Sequence, residues 1–229
     1  MAENYKVGGG GHQQPYDKTN GEYVDDCNES FDEYSKRIFK EIDSNEFCAK
    51  YNCTAQYLEE LLGETAINYI CNYTNPIVAA NLNYNLRHNT ISEYDRNMFL
   101  EIKNAIGKFE LNNDVHVSRG IHVPYSYFVD VFQKAYNDQS ALPSSALVST
   151  SRDFYRALQG AVTDKPDEIG IVFSCDLVKG DRALPIESIS KNPYEKEIML
   201  SNVTYFIQSI KTIKYKEKDI KLIDIIIVR

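Results

Sequence analysis

The sequence predicts an α+β fold with helices first and strands after, on three observations. The N-terminal half repeats apolar residues at spacings of three and four, as helices with one buried stripe do. The C-terminal half carries short runs rich in Val, Ile, Tyr and Phe, as strands do. The two kinds of segment do not alternate, which argues against βαβ units and a parallel sheet. No internal repeat is visible.

Taken in order, residues 1–25 hold Gly8–Gly11 and mostly polar side chains. Such a stretch buries too little surface to offset its ordering entropy, so a disordered tail is expected. Residues 26–229 are expected to form a single domain, mainly helical over 26–110 and mainly β over 111–229. Phe31, Tyr34, Ile38 and Ile42 make the first helical stripe. Thr54 caps a helix through Tyr57, Leu58, Leu61 and Leu62, which Gly63 ends or kinks. Helices follow at about 65–72, 77–88 and 92–107, the last opened by Ser92 with Asp95 three residues on, similar to a capping box. Val115-His116-Val117 alternates toward Arg119-Gly120, 125–136 is helical, and a further helix opens at Asp153. Strands are expected at 169–178, 182–190, 196–200, 203–213 and 220–228.

Composition narrows the function. With 43% apolar and 25% charged residues the chain has the balance of a globular protein. A net charge of −8 leaves no basic excess for phosphate-rich partners, so neither nucleic acid nor an anionic membrane is an expected partner. The longest apolar run, Ile225–Val228, is far too short to span a bilayer. The N-terminus lacks the basic-then-apolar pattern of a secretory signal, so export would need another route. Five cysteines, an odd number without a Cys-x-x-Cys spacing, point to reduced thiols and away from a zinc site.

Three short signals bear on chemistry. Arg119 ends a strand, where a guanidinium can hold a phosphate through paired hydrogen bonds. Gly120 beside it lets a planar ligand approach the backbone; the plainer reading is a surface arginine next to a turn. Ser149-Thr150-Ser151 offers hydroxyls for the floor of a polar pocket, while Ser151 is equally suited to cap the next helix. Glu195-Lys196-Glu197 is expected to open a strand, which would aim both carboxylates to one side and Lys196 to the other. Two such carboxylates can divide labour, one stabilising a cationic sugar and the other preparing a nucleophile. A Glu-x-Glu also arises by chance in a chain this rich in Glu. His116 and His122 flank the arginine and read as packed or surface side chains. Tyr194 either touches an acceptor or is an ordinary turn aromatic.

The order of these signals resembles that of the bacterial exoenzyme-type mono-ADP-ribosyltransferases, the class that includes the enzymatic parts of clostridial binary toxins. The run from Ser190 through Tyr194-Glu195-Lys196-Glu197 to Leu200 is similar to that family's loop-to-strand signature. Asn83-Tyr84-Asn85-Leu86-Arg87 resembles its Asn-x-x-Leu-Arg helix. The resemblance covers roughly residues 65–229. It departs at Ser118, where an aromatic is common, and in having Arg152 and Arg156 close after the serines but no obvious arginine further along to close over the pyrophosphate.

The resemblance implies two packed β-sheets, flanked by the helical region, with an NAD cleft between them. It implies NAD as substrate, no metal, and a host protein, such as a signalling protein, actin or ubiquitin, as the target. Arg119, with Arg87 and Asn83, would hold the NAD phosphates, and the Gly120 backbone the nicotinamide amide. Ser149 would orient Glu197, with Thr150 and Ser151 supporting the pocket. Glu197 would stabilise the oxocarbenium-like state as nicotinamide leaves, and Glu195 would engage the acceptor, most often an arginine. A secreted effector acting in a host cytosol is the setting this implies. Two rival readings stay open on sequence: an NAD glycohydrolase, and a non-catalytic binding module of the same fold.

Overall fold

The computed structural model describes residues 42–228. The expected tail, Cys27 and the stripe residues Phe31, Tyr34 and Ile38 lie outside the described residues.

Helices α1 (Ser44–Lys50), α2 (Ala55–Leu62), α3 (Glu64–Tyr73), α4 (Pro76–His88) and α5 (Glu93–Lys108) come first. Their ends follow from local chemistry. Thr54 Oγ1 accepts the Tyr57 N–H at 3.4 Å, and Ser92 Oγ accepts the Asp95 N–H at 3.1 Å. Asn75 caps α4, and Pro76 follows at the first helical position, where its missing N–H costs nothing. Gly63, at φ 83°, ends α2 and turns directly into α3. The inward stripes, among them Leu58, Ile70, Leu82, Met98 and Ile102, share one core with Val117, Leu184 and Ile198 of the strands.

After α5 come β1 (Val115–Pro124), a helical segment α6 (Tyr125–Tyr127, the π-helical Phe128–Gln133, then Lys134–Asn137) and β2 (Leu142–Ser151). Next are α7 (Phe154–Ala161), β3 (Glu168–Leu177), β4 (Leu184–Pro185), β5 (Glu197–Tyr215) and β6 (Lys218–Ile227). The strand order is β2-β1-β3-β6-β5-β4, and β2 also pairs with β5, so the ladder closes into a ring. The first part of β5 pairs with β2 and β4 and its last part with β6. One long strand therefore serves both sides of the ring, with an irregularity in its β6 pairing between Ile207 and Ser209.

Two expectations change here. The strands expected at 196–200 and 203–213 are one strand. Ser201-Asn202 has turn-like composition, yet Asn202 adopts φ 51° and the chain carries through. The strand expected at 182–190 shrinks to Leu184–Pro185, because Pro185 cannot donate to a ladder and the chain turns at Ile186–Ile189.

Helix α7 covers one face of β1, β3 and β6: Phe154, Ala157, Leu158 and Ala161 pack on Val172, Ile220 and Leu222. A Cβ on Gly120 would stand 1.7 Å from the Ala157 carbonyl oxygen, so backbone meets backbone at this contact. Helix α6 covers the opposite face through Phe128 and Phe132 against Ile171, Phe173 and Ile223. Among the described residues, no helix is long and apolar enough to cross a membrane.

Candidate active site

Strands β1 and β2 pair at one position, Ser118 with Ser151, and then part. Arg119 enters the split. Its Nη1 donates to the Ser149 carbonyl at 2.9 Å, a bond that a continued ladder would have supplied. The split opens into a cleft of about 460 Å³. Nine of the ten residues singled out from sequence line it, from Asn83 and Arg87 on α4 to Glu195 and Glu197 at the start of β5. Tyr194, the tenth, is exposed, with Arg156 of the cleft lining stacked on its ring. A second, mainly apolar cavity of about 420 Å³ adjoins the cleft, with Asn83, Arg119 and Thr150 belonging to both.

Glu197 is 6% exposed and begins β5 opposite Ser151. Burial raises its pKa to about 7, as does the neighbouring Glu195; a hydrogen bond from Ser149 and the Arg119 charge pull the other way. Asn83 Nδ2 donates to Tyr73 Oη at 3.0 Å, and Tyr73 Oη lies 3.3 Å from Ser149 Oγ. Burial raises the Tyr73 pKa and keeps the phenol protonated, and the Tyr73 and Ser149 hydroxyls share one hydrogen bond that either can donate. A chain of polar side chains thus runs from Asn83 on α4 through Tyr73 on α3 to Ser149 on β2.

Thr150 and Ser151 hold the start of β5 itself. Thr150 Oγ1 donates to the Ile198 carbonyl at 2.7 Å, and Ser151 Oγ to the Glu195 carbonyl at 2.6 Å. Ser151 does not cap α7, as its place in the sequence suggested. Its Oγ accepts the Asp153 N–H at 2.9 Å, and Asp153 caps the helix by accepting from Tyr155 at 3.0 Å.

The Glu-x-Glu geometry also differs from expectation. Glu195 ends a short 3₁₀ turn, Pro193–Glu195, and Lys196 has a left-handed φ of 47°. Both carboxylates still line the cleft. They meet there through a turn, not through the alternation of a strand. Lys196 faces Asp153 at 3.6 Å. Burial raises the Glu195 pKa, and the Arg156 charge opposes that.

Gly120 has a role the sequence reading did not foresee, since the space of its absent side chain is filled by the α7 backbone. Arg152 is turned away from the cleft into a buried pair with Glu187 at 3.0 Å and stacks on Phe47. His116 and His122 are engaged with Asp176 and Glu168 of β3 at 2.7 and 2.6 Å. Sequence reasoning missed Tyr73, which is 2% exposed and has the profile of a core aromatic, and Gln159 on α7. Among the described residues, two buried side-chain polar atoms lack a hydrogen-bond partner: Asn83 Oδ1 and Ser118 Oγ. Both residues line the cleft.

The fold is shared with bacterial ADP-ribosyltransferase toxins. Plx2a, an ADP-ribosyltransferase toxin from Paenibacillus larvae, superposes with a TM-score of 0.66 at 20% identity over 84% of this chain and 100% of that one. The Clostridium limosum C3 exoenzyme gives 0.61 at 20% identity over 83% and 98%. C3stau2 from S. aureus, solved with NAD, gives 0.57 at 18% identity over 83% and 99%. No protein-family model and no curated protein sequence matches the chain. The architecture is the α+β ADP-ribosyltransferase fold of the C3-like exoenzymes, as the sequence resemblance implied, with the strands joined in one hydrogen-bonded sheet where two packed sheets were expected.

Proposed function

We propose that this protein is a mono-ADP-ribosyltransferase that cleaves NAD and passes the ADP-ribose to a side chain of a protein target, an arginine by preference. The observation that carries this reading is Glu197, a buried carboxylate that lines one cleft with Ser149 and Arg119. A buried carboxylate that lines a cleft and, unlike Glu187, has no ion-pair partner among the described residues suits a cationic transition state. As the bond from ribose C1′ to nicotinamide breaks, positive charge grows on the sugar, and Glu197 stands ready to stabilise it. Arg119 and Arg87 supply the positive charge that a pyrophosphate requires.

Glu195, less buried and next to Tyr194, would engage the acceptor and take up the proton that it loses. The target would be a host protein such as a signalling protein, actin or ubiquitin, reached as a secreted effector in the host cytosol. NAD is consumed as substrate, and no step calls for a metal. The test is incubation of the wild type and Glu197→Ala with labelled NAD and a eukaryotic cell lysate. A discrete labelled band lost in Glu197→Ala supports the transferase. Nicotinamide release without any labelled band turns the reading to an NAD glycohydrolase.

A further inference from the structure

Arg156 projects from the first turn of α7 and is exposed, yet it lines the same cleft as Glu197. Its guanidinium lies 4.8 Å from the Tyr194 ring centre, where a planar cation stacks favourably. Its Nη1 donates to a neutral partner, Gln159 Oε1, at 3.1 Å, and its charge acts on Glu195. The other arginines near the serines and the cleft differ. Arg152 is buried against Glu187, while Arg119 and Arg87 bond to backbone carbonyls inside the cleft. Arg156 alone of these four combines an aromatic face, a nearby carboxylate and exposure, which is how an arginine acceptor would be presented. The backbone of helix α7 is packed on Gly120 beside this position.

We propose that Arg156 is an acceptor in cis: the chain attaches ADP-ribose from NAD to its own Arg156. This rests on the transferase reading above. In the step, the bond from ribose C1′ to nicotinamide breaks and its electron pair leaves with nicotinamide. A guanidinium nitrogen of Arg156 bonds to C1′, and the proton it sheds passes through Glu195 to water. An ADP-ribose placed there would fill the acceptor end of the cleft and limit further turnover.

The full chain is incubated with NAD alone, nicotinamide release is followed, and the modified residue is mapped by peptide fragmentation that spares glycosidic bonds. The expected result is one ADP-ribose on Arg156, formed at a fractional rate independent of protein concentration. It should be absent in Glu197→Gln, and in Arg156→Lys no ADP-ribose should be found at position 156. Nicotinamide release with Arg156 unmodified overturns the proposal, as does modification whose fractional rate grows with protein concentration. No nicotinamide release from the wild type overturns the transferase reading itself, and this step with it.

Discussion

At the scale of single residues, burial and charge compete at Glu197. A glutamate normally titrates near 4.5, and in this fold burial raises Glu197 to about 7. The proposed reaction needs the ionised form, so kcat/KM for NAD should rise with pH through about 7 and fall on the acid side, read from a pH–rate profile of nicotinamide release. The stability effect has the opposite sign. A folded-state pKa above the unfolded one means that the fold prefers the protonated form. Stability is then greatest below about 4.5 and is lost as pH rises through about 7. At about 1.4 kcal/mol per pH unit, ionising Glu197 costs up to about 3 kcal/mol. Glu197→Gln should therefore be more stable than the wild type at pH 8 by up to that amount, with the difference gone near pH 4.5, as urea unfolding would show. Most of the cleft was legible at this scale, because Arg119, Ser149 and the glutamates announce themselves by residue type and order. Tyr73 was not, since a nearly buried tyrosine in a helix stripe has the same sequence signature as plain core.

At the scale of elements, the contact between β1 and α7 fixes one wall of the cleft. Gly120→Ala would drive a Cβ into the Ala157 carbonyl, and neither backbone can yield cheaply. The substitution should destabilise the protein by about 3 kcal/mol or more, seen as a lowered urea midpoint, and weaken NAD binding measured by calorimetry. The sequence placed Gly120 at the ligand but gave no sign of the helix against it, because that contact joins segments more than thirty residues apart. Helix ends were the most legible elements, since Thr54 and Ser92 act on donors within three residues. Strand ends were the least, because the run through Asn202 depends on what pairs beside it. The Glu-x-Glu shows the same limit: the residues were found, but the left-handed Lys196 that brings them together was not.

At the scale of the whole molecule, the helical half is tied to the strands that line the cleft through Arg152. Its guanidinium reaches Glu187 and the Ile42 carbonyl, and it stacks on Phe47 of α1. Arg152→Ala would leave Glu187 buried without its partner, which should cost about 3–5 kcal/mol in chemical unfolding. The order of helices before strands was readable from periodicity, whereas ring closure by β2 and β5 depends on long-range pairing that no local pattern carries. The proposed activity depends on Glu197 for breaking the nicotinamide–ribose bond. The most direct measurement is nicotinamide release from NAD by the purified wild type and by Glu197→Gln, side by side at pH 8. Release by the wild type with a loss of about 10²–10³-fold in the variant is the predicted result. Equal release by both proteins, or none from the wild type, would contradict it.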